Sequence, residues 1–188
     1  MDIIYPKTEF WIHSKLDKTL MDYVWTQIES AKNNVKHKLV GHINRSLDLP
    51  DVEKKLSSHI EEAAKQITYI YQPHMTVKSM WVNFQRKNEF NPLHTHSGAM
   101  SFVLWMKIPY KYEDECKTEQ AKNLSDNPLS GCFSFNYTSA LGATTHYDYL
   151  LDPTWEGSLL VFPAKLMHQV YPFYTSDEER ISISGNIY

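Results

Sequence analysis

The chain has almost no cysteine, no long apolar run and no excess of positive charge. Two cysteines, Cys116 and Cys132, are too few for a disulfide framework, and no CxxC or Cys/His finger spacing is present. No apolar stretch approaches the roughly 20 residues that span a bilayer, so no membrane partner is expected. Residues 1–6 lack a basic region followed by an apolar core, which predicts no secretory signal and a cytoplasmic protein. A formal net charge of −3 offers no electrostatic case for nucleic acid or an anionic membrane surface as a general partner. Internal repeats and low-complexity tracts are also missing. What remains is a globular composition, 42% hydrophobic and 22% charged. Its 188 residues suit one domain, 1–188, with a single substantial core.

Hydrophobic spacing divides the chain into two parts. Leu16, Leu20, Met21, Val24, Trp25 and Ile28 mark one face of a helix over 17–33. Val52, Leu56, Ile60, Ala63, Ala64, Ile67 and Tyr71 mark another over 51–72, with Pro50 and Asp51 at its start. Residues 1–74 therefore read as a mainly helical support region. From Met75 the period changes to two, with strands expected over 76–85, 101–108, 132–137, 147–151, 158–162 and 181–187. Several strands without intervening helices predict an antiparallel sandwich or barrel over 75–188, an all-β core within an α+β chain. The polar stretch 110–130 is long for a compact domain and reads as a lid or as an exposed excursion.

The chemistry gathers in the β half. His94 and His96 stand two apart before an apolar strand, and side chains two apart on a strand share a face. His168 follows the strand 158–162 and a proline turn. Three imidazoles suit Fe, Zn, Cu or Ni, and residue type alone does not choose among them. Along 180–187, Arg180, Ser182, Ser184 and Asn186 alternate with Ile181, Ile183 and Ile187. One face is thus polar and the other apolar, as expected of a strand between helices and an internal cavity. A guanidinium can grip a carboxylate with two parallel hydrogen bonds, and a neighbouring hydroxyl can add a third. Trp81, Asn83 and Gln85 alternate with Met80, Val82 and Phe84, which aims both amides at the same cavity. His13, His37, His42, His59 and His74 lie in the helical half and read as structural or exposed; His146 keeps a minor claim.

Taken together, the stretches 91–98, 157–163 with His168, and 180–186 resemble the Fe(II)/2-oxoglutarate-dependent oxygenases, and in particular small members that include proteins of tailed phages. The resemblance covers about residues 75–188. It implies a double-stranded β-helix (jelly roll, cupin-like) and an enzyme, a dioxygenase using Fe(II), O2 and 2-oxoglutarate to hydroxylate a C–H bond. It also implies a location in the host cytoplasm for a phage-encoded member, and a protein or peptide residue as one class of target. By this likeness His94 and His168 are iron ligands, Arg180 with Ser182 binds the distal carboxylate of 2-oxoglutarate, and Asn83 or Gln85 contacts that co-substrate from the opposite wall. The departure is at position 96, where most members carry Asp or Glu. His96 could be a true third ligand. It could stand aside while water or a carboxylate such as Asp148 takes its place, or the site could bind metal without oxygenase activity. Two further functions stay open: a three-histidine dioxygenase that uses no 2-oxo acid, and a non-catalytic metal-binding protein.

Overall fold

The computed structural model describes residues 9–67, 75–122 and 128–188. Their architecture is two antiparallel sheets with helices on one outer face, mostly β with few helices. The elements run β1 (Ile12–Lys15), α1 (Lys18–Ser30), β2 (Arg45–Asp48), α2 (Lys55–Ala64), β3 (Val77–Gln85), β4 (Asn91–His94) and β5 (Met100–Lys107). They continue with α3 (Tyr112–Glu115), α4 (Glu119–Lys122), β6 (Phe133–Thr138), β7 (Thr144–Tyr149), β8 (Ser158–Pro163), β9 (Met167–Val170) and β10 (Arg180–Ile187). A six-stranded sheet has the order β1-β8-β5-β10-β3-β2, and a four-stranded sheet the order β4-β9-β6-β7. No helix among the described residues is long and apolar enough to cross a membrane.

Period-two alternation along the large sheet sorts its side chains into two layers. Val82, Phe84, Leu104, Leu159, Val161 and Ile183 face Val24 and Ile28 of α1 and Leu56 and Ile60 of α2. The other face meets the small sheet through Val103, Trp105, Leu160 and Phe162 against Phe133 and Phe135. Gly185 sits mid-strand because a Cβ there would lie 2.3 Å from the Ser79 carbonyl oxygen and 2.6 Å from the Phe102 ring.

The helical expectation for residues 1–74 needs correction. Both expected helices exist but are shorter, and two strands, β1 and β2, lie in the same region as edges of the large sheet. Helix α1 starts where the Asp17 carboxylate accepts from Leu20 N at 2.8 Å. Asp51 does not begin α2. It sits at φ 39° and caps the helix from outside, accepting from Ser57 N at 2.8 Å and from the Tyr23 hydroxyl at 2.8 Å. The end of the second helix beyond residue 67, with Tyr71 and His74, lies outside the described residues, as does 123–127 of the polar stretch. Four short strands, β1, β2, β4 and β9, were not expected; each is four residues long.

Candidate metal centre

Strands β4 and β9 pair antiparallel at one side of the small sheet, with His94 directly opposite His168. Pro92 has no N–H to give a ladder, and β4 accommodates it by being an edge strand. Nδ1 of His94 lies 2.7 Å from the Pro92 carbonyl oxygen, and Nδ1 of His168 lies 2.9 Å from that of Leu166. A carbonyl can only accept, so both Nδ1 atoms carry the hydrogen and both Nε2 atoms present a lone pair. This is how metal-binding imidazoles are commonly oriented.

His96 lies just past the end of β4, so the pair is not carried by one continuous strand. Its backbone is tied instead to the turn before β9, with His96 N donating to Ala164 O at 2.8 Å. Lys165 Nζ donates to His96 O at 3.0 Å. The imidazole still converges on the other two. Nε2 of His96 is 3.0 Å from Nε2 of His168, and one nitrogen from each of the three rings falls within 4.8 Å of the others. The Trp81 indole stacks on His96 with centroids 5.8 Å apart. Three nitrogen donors on one side of a cavity, two with fixed tautomers, fit a divalent transition metal.

All three imidazoles are held toward the neutral form. Burial pushes His96 down to about 4, His94 adds repulsion, and Asn186 pulls weakly the other way. Burial, then the charges of its two neighbours, pushes His168 well below its ordinary value. Burial lowers His94 too. The unfolded chain therefore takes up protons that the folded site refuses. Stability of the metal-free protein is full above about pH 6.5 and falls as pH drops toward 4. From His96 alone we expect a loss of about 2 kcal/mol by pH 5. Denaturant midpoints of the metal-free protein at pH 7 and pH 5 measure it; a midpoint that did not move would contradict the depressed values.

The centre opens into a cavity of about 330 Å³ between the sheets. Trp81, Asn83, Gln85, Arg180 and Ser182 line it, as the alternation along β3 and β10 predicts. Arg180 is 2% exposed. One guanidinium nitrogen donates to the Tyr110 hydroxyl at 2.5 Å and to Gly131 O at 2.9 Å, and the other terminal nitrogen donates to Gln85 Oε1. All three acceptors are neutral, and no carboxylate among the described residues pairs with this buried cation. Burial pushes the Tyr110 hydroxyl up to about 12 against the pull of Arg180, so it remains an O–H, donating to Gly131 O at 2.6 Å. Gln85 donates to Glu89 O at 2.6 Å. It is thus engaged at both ends and braces Arg180. Asn83 accepts from the Ser46 hydroxyl at 2.7 Å.

Several expectations are settled by position. Asp148 does not reach the histidines: it sits opposite Ser134, on the face of the small sheet away from Phe135 and His168. Its carboxylate is held by Ser134 and by His146 at 2.7 Å. The described part of 110–130 forms no lid over the cavity. Glu115, fully buried, accepts from Tyr174 N at 2.8 Å and Thr175 N at 2.9 Å, which pins this stretch to the loop before β10. His13 stacks on Trp155 and His42 on Phe90. Sequence reasoning missed the cavity's actual cover, Val35 to Ile43, and the partners of Arg180, Tyr110 and Gly131. Only Gly41, at φ 116°, hints at an unusual turn there.

Residues 79–186 match the family model described as "Putative 2OG-Fe(II) oxygenase". No curated protein sequence matches the chain. Among solved structures, a prolyl-4-hydroxylase from Pseudomonas putida is similar at TM-score 0.56 and 14% identity, covering 96% of this chain and 92% of that one. A viral collagen prolyl hydroxylase from Paramecium Bursaria Chlorella virus-1, solved with 2-oxoglutarate, has TM-score 0.57 at 12% identity, with 94% of each chain covered. An oxidoreductase of the 2OG-Fe(II) oxygenase family from Burkholderia pseudomallei has TM-score 0.58 at 12% identity, covering 94% and 83%.

Proposed function

The chain belongs to the 2OG-Fe(II) oxygenase family, whose members use Fe(II) and 2-oxoglutarate, and from that premise we propose that it hydroxylates a C–H bond of a primary substrate. Iron, when bound, supplies the activation of O2 that oxidises an unactivated C–H bond while 2-oxoglutarate is decarboxylated to succinate. Strands β3 to β10 form a double-stranded β-helix core within 75–188, which β1 and β2 extend as edge strands of the large sheet and which α1 and α2 support, in one domain.

In this reading His94, His96 and His168 hold the metal through their free ring nitrogens. The carbonyls of Pro92 and Leu166 keep two of the rings from rotating or changing tautomer. Arg180 binds the distal carboxylate of 2-oxoglutarate. A guanidinium has five N–H donors; three are taken by protein, which leaves two for an anion. Ser182, next along the same face, adds a hydroxyl. Asn83 stands opposite Ser182 in register and can contact the co-substrate, whereas Gln85 acts by holding Arg180. Aromatic walls, Trp105, Phe133 and Phe162, exclude water from the space between.

The observation that carries the proposal is a buried cation with no anionic partner among the described residues, sharing one cavity with three gathered imidazoles. Arg180 also disfavours a three-histidine dioxygenase without a 2-oxo acid, which would have no use for it. Anaerobic titration of Fe(II) with and without 2-oxoglutarate tests the reading. The visible absorption band of the chelate to ferrous iron is expected to rise and saturate near one equivalent of iron; its absence would refute it.

A further inference from the structure

The primary substrate can be narrowed further, on the basis of the function proposed above. The large sheet ends at β2 and the small sheet at β4, and residues 36–44 cross from one edge to the other. At the β2 end, Val35 N donates to Ser46 O at 3.0 Å and Asp48 N to Asn33 O at 2.8 Å. At the β4 end, His42 N donates to Phe90 O at 2.8 Å, and Asn44 Nδ2 to Glu89 at 2.6 Å. Gly41 packs so closely that a Cβ would lie 1.8 Å from the Asn91 amide oxygen. Lys36 Nζ ties the crossing together by donating to Gly41 O at 2.5 Å. This strap roofs the cavity with Leu39, Val40 and Ile43. A polymer laid across the mouth would have to displace the strap, whereas a free small molecule would not.

Volume points the same way. About 330 Å³ is near the lower end of the roughly 300–1,000 Å³ typical of small-molecule sites. The same space must also admit 2-oxoglutarate, so the remainder suits a molecule of amino-acid size. Besides Arg180, the charged lining consists of Lys36, whose ammonium is committed to Gly41 O, and of Asp48 on β2 and Lys38 on the strap. Asp48 and Lys38 stand at the exposed rim, and neither has an ion-pair partner among the described residues. Asp48 is paired with Trp81 in register, and Trp81 stacks on His96. The cavity wall therefore runs from a carboxylate, across an aromatic ring, to the metal centre.

We propose that the primary substrate is a small free zwitterion of amino-acid size. Its ammonium group meets Asp48, its carboxylate meets Lys38, and its carbon chain crosses the Trp81 ring toward the histidines. One oxygen atom of O2 enters a substrate C–H bond as a hydroxyl. The other enters succinate as 2-oxoglutarate loses CO2, so atoms and electrons balance.

The test uses the wild-type chain with Fe(II) and 2-oxoglutarate. Under anaerobic conditions, each standard free amino acid at millimolar concentration is added while the visible band is recorded. Under air, succinate and product mass are measured. At least one free amino acid is expected to perturb the band and to be recovered one oxygen atom heavier. Its N-acetyl and carboxamide derivatives should bind at least about tenfold more weakly, and Asp48→Asn and Lys38→Met should raise KM about tenfold with a smaller change in kcat. The proposal is overturned if the band forms but no free amino acid perturbs it, if blocked derivatives act as well as free ones, or if a Pro-Pro-Gly peptide alone is turned over. Failure of the band to form at all is a different result, because it removes the oxygenase reading itself.

Discussion

Replacing His96 by alanine is expected to lower Fe(II) affinity by more than about 100-fold, roughly 2.7 kcal/mol, and to abolish succinate formation. Loss of a hydrogen-bonding group behind a metal ligand already costs about 10–100-fold, and loss of the ligand itself should cost more. The expectation rests on convergence: Nε2 of His96 is 3.0 Å from Nε2 of His168, so a metal held by one is within reach of the other. His96→Asp keeps a donor at the same place and adds a negative charge, so it should regain much of the affinity that alanine loses. Asp148→Asn is the control and should leave iron affinity within about twofold, because Asp148 faces the opposite side of the sheet. Iron titration of the three variants by the visible band, and by competition with a metal chelator, reads each outcome. Full iron affinity in His96→Ala would show that His96 is not a ligand.

Arg180→Ala is expected to weaken 2-oxoglutarate binding at least about 100-fold while leaving Fe(II) affinity without 2-oxoglutarate little changed. It should also destabilise the protein. Gln85 Oε1 would lose its donor in a buried place, at about 1–3 kcal/mol, whereas Tyr110 and Gly131 O keep the hydrogen bond between them. Arg180→Lys separates the two effects. It keeps the charge but loses the planar fork, so its 2-oxoglutarate affinity should fall between wild type and alanine. Ser182→Ala removes one hydroxyl and should cost only a few-fold. If Arg180→Ala bound 2-oxoglutarate normally once folded, the anion site would lie elsewhere.

Much of this arrangement was legible in residue order because strand side chains alternate. The polar faces of 81–85 and 180–186 could be read off by parity, and both line the cavity. The same parity already separates Asp148 from the metal: it alternates with Tyr147 and Tyr149, and Tyr149 packs into the inter-sheet core. The short strands were not legible. Four residues show too little periodicity, and β1, β2, β4 and β9 are strands because a neighbour offers a ladder. The start of α2 was misplaced because Asp51 spends its carboxylate on the amides of a turn it stands outside.

By itself the sequence determined the residue types that meet at the site, three imidazoles and a guanidinium, and which side of each long strand faces inward, because these follow from chemistry and a period of two. Only the tertiary structure decided that three histidines up to 74 positions apart present nitrogens within 4.8 Å. It also decided that Arg180 is braced by Tyr110, Gly131 and Gln85, and that residues 36–44, rather than the described part of 110–130, roof the cavity. Those outcomes depend on which edges of two sheets come to lie together. That is set by the packing of the whole core, and no local run of residues encodes it.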